Sequence, residues 1–210
     1  MTLDRETVVR TALRVLDEAG LEGLTLRKIA GELSVQAPAL YWHFKNKQEL
    51  LDEMATTVFS DAMAEINLEP DEGSWSEWAL QYAEGLRRTL LRYRDGARIF
   101  SGTYLTDAAM YAGLEAALRR LTTAGFTLRE AVLGLSTIYC YVVGFTIEEQ
   151  AVHPRPGEHD QRYDLDARSA RIDGERFPLA QAAGAGLFAS YDERFAQGVG
   201  LIVSGMRPSG

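Results

Sequence analysis

Residues 24–52 read LTLRKIAGELSVQAPALYWHFKNKQELLD, and this stretch decides the fold of the N-terminal part of the chain. Thr25 stands in the position of an N-cap, which indicates the start of a short helix. A break at 34–35 precedes a second short helix over 36–44, where Pro38 falls in the first turn and needs no intrahelical N–H. Two short helices joined by a tight turn predict a helix-turn-helix, whose second helix enters the major groove of DNA.

The second of these helices is rich in large rings. Leu40 and Phe44 are four residues apart and suit the core, which turns Tyr41 and Trp42 towards solvent. Two interpretations are open: the rings cover a neighbouring helix, or they lie along the sugar and phosphate of DNA. The second is favoured because residues 23–47 carry a net charge of +3, which would attract phosphates.

The basic patch contrasts with the rest of the chain. The 210 residues have a net charge of −8, all of it carried by 51–210, because residues 1–50 balance to zero. An acidic bulk with a small basic patch predicts two units with different tasks. With 46% hydrophobic and 25% charged residues, the composition excludes a disordered chain, and the single Cys140 excludes a disulfide scaffold. That thiol and the lack of a visible signal peptide predict a cytoplasmic protein.

Helical periodicity extends along the whole chain, and no segment alternates with a period of two, so the fold class is expected to be all-α. Asp4 is placed as the N-cap of the first helix, and Gly20–Leu21 as its stop. The segments 67–73 and 153–178 are read as loops, the second of them long and mobile. Further helices are predicted at 47–66, 74–92, 106–123, 127–152 and 195–206.

A charge-free stretch at 131–147, AVLGLSTIYCYVVGFTI, raises the question of a membrane span. A spanning helix needs about 20 mainly apolar residues. This stretch is shorter, contains hydroxyl groups and is closed by Glu148 and Glu149. We therefore expect no membrane association, and we expect a helix buried in the core or in a subunit interface.

The sequence gives little support for an enzymatic function. The chain has three histidines, and it shows no zinc-protease pair, nucleophile elbow or phosphate-binding glycine loop. Gly184-Ala185-Gly186 is only a fragment of a dinucleotide turn, without a preceding strand. Glu149 and His153 could share a helix face and hold a metal, although a solvated helix end is the commoner arrangement. No enzyme activity, no metal site and no cofactor are predicted.

At residues 24–52 the sequence resembles the tetracycline-repressor (TetR) family of bacterial transcriptional regulators. The resemblance continues in Ser74-Trp75, in YRDGARIFSGT at 93–103, in Gly125-Phe126, in Leu135-Ser136 and in EEQ at 148–150. It fades over 153–187. One departure is Ser34, where the family usually has glycine in the turn, and a residue with a side chain adopts a positive φ there only at a cost.

The resemblance implies an all-α homodimer. Residues 1–46 would form a helix-turn-helix head, and 47–210 a ligand-binding and dimerisation body that the helix 47–66 connects to the head. The last two long helices of each subunit would pack as a four-helix bundle. The partners implied are a double-stranded DNA operator and a small-molecule effector. The DNA-facing residues that the resemblance implies are Thr25, Arg27, Gln36, Ala37, Pro38, Ala39, Tyr41, Trp42, His43 and Lys47.

Within that set Gln36 is the candidate for a base-edge contact, because its amide can pair with adenine in the major groove. Ala37 and Ala39 are smaller than the residues of tetracycline repressors, so a different operator sequence is expected.

The resemblance also implies a ligand pocket in the body. Its residues would be Tyr82, Leu86, Phe100, Thr103, Tyr104, Leu105, Ala117, Val132, Leu135, Cys140 and Glu148. Tetracycline repressors hold the magnesium of their drug with a histidine where this chain has Phe100, and Glu148 alone is a poor magnesium site. We therefore predict a mostly apolar, aromatic or polycyclic effector and not tetracycline with Mg²⁺.

The sequence leaves two other functions open. A helical enzyme or small-molecule carrier could keep the head as a vestige, and it would have lost the basic and aromatic groups that this head retains. A purely structural dimerisation protein would leave the exposed rings unexplained. A repressor is the favoured regulator, and activation is the alternative.

Overall fold

A computed structural model describes residues 3–65, 74–102 and 110–209, and these residues form helices and no strand. The all-α prediction is confirmed. The helices are α1 (Arg5–Gly23), α2 (Leu26–Glu32), α3 (Ala37–Leu40), α4 (Lys47–Glu65), α5 (Trp75–Leu91), α6 (Gly96–Phe100), α7 (Met110–Thr123), α8 (Leu128–Val152), α9 (Leu165–Ala170), α10 (Pro178–Ala182), α11 (Gly184–Phe188) and α12 (Tyr191–Gly205), with a 3₁₀ turn at Gln161–Tyr163.

Helix α1 begins where the sequence predicts and ends differently. The carboxylate of Asp4 accepts a hydrogen bond from the Thr7 amide at 2.8 Å, which is N-capping. The helical backbone breaks at Gly20, whose φ is +70°, but it resumes as far as Gly23. Glycine is needed at the break, because an added Cβ would also come within 3.1 Å of the side chains of Arg94 and Asp95. The predicted end of α1 at Gly20–Leu21 is therefore a kink within the helix, at the point where α1 meets Arg94 and Asp95.

The helix-turn-helix is formed by α2 and α3. Thr25 caps α2 by accepting from the Lys28 amide at 3.2 Å, and Ser34 adopts a φ of +55° in the turn, where the family usually has glycine. Helix α3 is shorter than the predicted 36–44. The amides of Tyr41 and His43 bond three residues back, so the chain tightens into turns after Leu40.

Helix α4 packs against α1 and also against α5 and α6. The Asn46 side chain accepts from the Glu49 amide at 2.9 Å, whereas Glu49 returns to the Lys45 amide and not to that of Asn46, so the predicted capping pair is half-formed. Arg10 binds Asp61 across the two helices at 2.8 Å.

In the body, α5 packs against α8 and α12. Capping boxes at Ser74 and Thr127 begin α5 and α8, as the polar residues before each apolar run indicate. A buried ion pair joins the helices: Arg87 binds Glu149 with atoms 2.6 and 2.8 Å apart and also reaches Asp192 at 2.7 Å.

Two sequence predictions about the body are wrong. The segment 153–178 is not one long loop, because it contains the 3₁₀ turn and α9, and α10 begins at its end. Asp164 starts α9 by accepting from the Ala167 amide at 2.8 Å, a cap that the density of charge in this segment obscured. The last helix begins at Tyr191, four residues before the predicted start. The predicted loop 67–73 lies outside the described residues, as does the predicted start of α7.

Helix α8 is long and apolar enough, by length and composition alone, to cross a membrane. About one third of its most apolar part is buried inside the subunit. Its outward face carries Leu133, Thr137, Cys140 and Gly144 as a stripe at helical spacing. The helix therefore has a packed face and an uncovered one.

Replacing Glu149 by Gln is expected to lower the free energy of unfolding by about 3 kcal/mol, because a buried cation then loses its main counter-ion. The side chains of Arg87 and Glu149 are each only 9% exposed, whereas that of Asp192 is 96% exposed. Asp192→Asn removes a charge from the same arginine at the surface, so its expected cost is below about 1 kcal/mol. Urea denaturation at one fixed protein concentration measures both, and equal losses would contradict the prediction.

Candidate DNA-binding surface and ligand cavity

The helix-turn-helix exposes the rings that the spacing predicts. Leu40 and Phe44 are buried, while Tyr41 and Trp42 are exposed, Trp42 to 90%. A ring with that exposure covers no neighbouring helix, so one of the two interpretations of these rings is excluded for Trp42. The rings are available to a partner.

The ten predicted DNA-facing residues all lie at the surface of the head. Ala37, Ala39 and His43 are half-buried and the other seven are exposed: Thr25, Arg27, Gln36, Pro38, Tyr41, Trp42 and Lys47. The backbone of His43 is held by Arg5, whose guanidinium donates to the His43 carbonyl and also pairs with Glu49 and Glu53. The surface is thereby fixed to α1 and α4.

The helix-turn-helix and the residues just after it present four exposed cations. Arg27, Lys28, Lys45 and Lys47 form no ion pair with any described residue. Arg5 and Arg10 of α1 differ from these four, because they pair with carboxylates of α4. Free cations beside exposed rings form a surface suited to phosphate and sugar.

The body contains a cavity of about 420 Å³ among α4, α5, α6, α7 and α8. Its described lining is apolar and aromatic apart from three hydroxyl groups. The lining residues are Phe59, Met63, Tyr82, Phe100, Met110, Gly113, Leu114, Ala117, Leu118, Val132, Leu135, Ser136 and Tyr139. The volume and chemistry are typical of small-molecule sites.

The structure brings part of the predicted ligand set to this cavity, namely Tyr82, Phe100, Ala117, Val132 and Leu135. Three of the predicted residues do not line it. Leu86 is fully buried in the core, and Cys140 and Glu148 line a separate depression beside α11 and α12. Thr103, Tyr104 and Leu105 lie outside the described residues. The separation follows from helix geometry, because Cys140 and Glu148 lie on a different face of α8 from Leu135.

Several lining residues were missed by sequence reasoning. Ser136 and Tyr139 follow Val132 and Leu135 at a spacing of four, which is a signal that the sequence contains. Sequence spacing could not predict that Phe59 lines the cavity, because this residue reaches the cavity only through the packing of α4 against α6. Its ring stacks on Phe100, with centroids 5.9 Å apart and planes at 11°.

The described lining of the cavity contains no histidine, cysteine or carboxylate. Phe100 contributes a hydrocarbon ring to it, and Glu148 lies on the other depression. Among the residues that the structure describes, no three histidine, cysteine or acidic side chains are grouped to hold a metal ion.

Helix α6 links the cavity to the head. Phe100 ends α6 and lines the cavity, while the start of α6 is held by Gln150, whose amide accepts from the Ala97 N–H at 3.1 Å and donates to the carbonyls of Leu90 and Tyr93 at 3.2 and 2.8 Å.

The turn before α6 then contacts the head. Asp95 accepts from the Leu21 amide at 2.8 Å, and the Arg94 amide donates to Asp17 at 3.1 Å. The turn before α6 is thus hydrogen-bonded to the C-terminal part of α1.

A second connection between head and body centres on Asp61 of α4. Its carboxylate binds Arg10 of α1 and accepts from the hydroxyl of Tyr93 at 3.2 Å. The hydrogen bond from Arg10 lowers the pKa of Asp61, so the pair stays charged at neutral pH. Burial, together with the neighbouring Asp61, raises the pKa of Tyr93.

Comparison with known proteins identifies the family. The family described as "Bacterial regulatory proteins, tetR family" matches residues 8–54, and that described as "Tetracyclin repressor-like, C-terminal domain" matches residues 69–209. The chain belongs to the TetR family. It is accordingly a ligand-responsive, DNA-binding transcriptional regulator.

Individual relatives agree with this assignment. The chain is 40% identical to the class A tetracycline repressor of transposon 1721 from Escherichia coli, over 97% of this chain and 90% of that protein. Its structure resembles a possible TetR-family regulator from Streptomyces coelicolor, with 33% identity, a TM-score of 0.85 and coverage of 97% and 98%. It also resembles ActR of Streptomyces coelicolor in complex with actinorhodin, with 28% identity, a TM-score of 0.82 and coverage of 98% and 97%.

Proposed function

We propose that this regulator is a repressor that binds a palindromic operator as a homodimer and leaves it when a mostly apolar aromatic molecule enters the cavity. DNA binding is supported by one observation above all: Trp42 and Tyr41 are exposed beside unpaired cations, although the protein as a whole is acidic. The relatives named as repressors favour repression over activation.

In the head, phosphate contacts position the protein and base contacts give specificity. We assign phosphate pairing to Arg27 and Lys47, and contact with the sugar–phosphate backbone to Tyr41 and Trp42. We assign to Gln36, which is exposed at the start of α3, the pairing with adenine in the major groove. Because Ala37 and Ala39 carry only methyl groups, they suit contact with thymine methyls.

For the effector, the aromatic walls of the cavity and its volume favour a flat, mostly apolar molecule. Tetracycline with Mg²⁺ is not proposed, because Phe100 supplies no ligand atom. The structurally similar protein ActR has been solved with actinorhodin, which supports a small-molecule effector for this chain.

Transmission from cavity to head is assigned to α6. A molecule against Phe100 displaces the end of this helix, and its start acts on α1 through Asp95 and Arg94. The DNA-competent state keeps the two heads about 34 Å apart, to match successive major grooves. The ligand favours the other state only by its difference in affinity for the two states.

Dimerisation is assigned to the uncovered faces of α8 and α12. Leu133 is 66% exposed on α8 and Leu201 is 75% exposed on α12. Leucines this exposed on adjacent, tightly packed helices favour a partner of the same chain, and the pairing would give a four-helix bundle in the cytoplasm. The head 1–46 and body 47–210 remain our proposed division of the chain.

A vestigial head on a helical carrier is the alternative function, and the retained cations and rings of the head weigh against it. No observation favours catalysis, and the relatives are regulators and not enzymes.

The DNA-binding proposal is tested by fluorescence anisotropy on the intergenic DNA upstream of the gene, across a salt series. We expect tight binding that weakens as salt rises. Lys47→Ala should reduce the slope of log affinity against log salt by about 0.9 for each phosphate that the side chain neutralises in the wild-type complex. Tyr41→Ala should lower affinity at every salt concentration with the slope unchanged, because its interaction with DNA is not ionic.

The charge-matched control is Arg171→Ala beside α9, which removes one exposed cation from the body. It should leave both affinity and slope unchanged. If no DNA fragment of the genome bound above random sequence in a selection with the purified protein, the DNA-binding proposal would be wrong.

Leu133→Glu and Leu201→Glu are each expected to convert the dimer into monomers, because they place a carboxylate in an apolar interface. Sedimentation velocity at micromolar protein measures the change. Tyr111→Glu is the control, since Tyr111 is 64% exposed on α7, away from the proposed interface, and this variant should remain dimeric. A dimer that survives both leucine variants would place the interface elsewhere.

A further inference from the structure

The cavity contains two hydroxyl groups that the described chain does not use. Of its three hydroxyl-bearing residues, Ser136 donates to the Leu133 carbonyl at 3.0 Å. The hydroxyls of Tyr82 and Tyr139 form no hydrogen bond with any residue that the structure describes. Both residues are half-buried. A ligand that fills the cavity would take water away from these hydroxyls, so the two groups favour a ligand that supplies an acceptor.

Both rings are held in place by other rings. Tyr82 stacks on Trp78, with centroids 5.5 Å apart and planes at 24°, and Tyr139 lies against Phe100 at 5.8 Å. Trp78 is itself buried in the core. The donors are therefore fixed before a ligand arrives, which reduces the entropy lost on binding.

The protonation state of the two phenols is set by their surroundings. Burial, with a smaller contribution from the neighbouring Tyr139, raises the pKa of Tyr82 to about 12. Burial likewise raises the pKa of Tyr139. Both hydroxyls remain protonated at neutral pH and can donate a hydrogen bond.

The rest of the described lining selects against charge. It contains no arginine, lysine or histidine, so an anion entering the cavity would lose its hydration without gaining a counter-ion there. A hydrocarbon without an acceptor would leave both hydroxyls unpaired. A neutral molecule with one acceptor oxygen avoids both costs.

We propose that the cavity selects an uncharged, flat aromatic ligand whose carbonyl oxygen accepts hydrogen bonds from Tyr82 and Tyr139. This inference rests on the proposed effector role of the cavity, and it adds the chemical class of the ligand. The aromatic body would lie among Phe59, Phe100 and the aliphatic side chains of α7.

The test uses three probes of nearly equal size and the full-length protein. They are 2-acetylnaphthalene, which is neutral and has a carbonyl; 2-isopropylnaphthalene, which has no acceptor; and 2-naphthoate, which is an anion. Equilibrium dialysis measures each affinity. We expect 2-acetylnaphthalene to bind at least about fivefold more tightly than either of the others, as one net hydrogen bond allows.

Tyr82→Phe and Tyr139→Phe remove only the hydroxyls. Each should lower the affinity for 2-acetylnaphthalene about fivefold and leave the affinity for 2-isopropylnaphthalene unchanged. Tyr163→Phe, outside the cavity, is the matched control and should change neither affinity. With a ¹³C-labelled carbonyl, the NMR resonance of the bound probe should move downfield in the wild-type protein and less in either variant.

The outcomes separate the two proposals. Equal affinities for the ketone and the hydrocarbon, both abolished in Ala117→Phe, would overturn the carbonyl inference and leave the cavity as a ligand site. Tighter binding of 2-naphthoate would also overturn it. If none of the three probes bound the wild-type protein, both the inference and the effector role of the cavity would be wrong.

Discussion

The side-chain amide of Gln150 holds the turn between α5 and α6, and the coupling that we propose depends on it. One buried group satisfies the amide of Ala97 at the start of α6 and the carbonyl of Leu90 at the end of α5, where backbone groups lack intrahelical partners. It also donates to the carbonyl of Tyr93 in the turn between the two helices. Because α8 supplies this anchor, the body fixes α6 at its start, while the cavity meets α6 at its end. A short helix held at one end and open to a ligand at the other is well placed to pass a displacement to α1.

Much of this architecture could be predicted from the sequence. The caps at Asp4 and Thr25 are local signals, since each depends on residues within three positions, and both are confirmed. The helices predicted to start at Ser74 and Thr127 begin one residue later, with these residues as their caps. The exposure of Tyr41 and Trp42 follows from helical spacing in the same way. Local chemistry thus suffices for the head and for the long helices.

Two of the misses have a common physical cause. Helix α6 has five residues and owes its position to Gln150, which is more than fifty residues away in sequence. Phe59 reaches the cavity only through tertiary packing. Cys140 and Glu148 are a different kind of miss, because they were assigned to the cavity by resemblance although their spacing from Leu135 puts them on another face of α8. Contacts that depend on the relative placement of helices carry no signal at short sequence distance.

The central claim is that one equilibrium couples the cavity to the DNA-binding head. Its most direct test compares the affinity of a cavity ligand, such as 2-acetylnaphthalene, for the free protein and for the protein saturated with its operator. Because coupling between two binding sites is reciprocal, operator DNA should lower the affinity of the protein for the ligand by about 5- to 150-fold. The same affinity in both states would contradict the account, since the cavity would then bind without acting on the head.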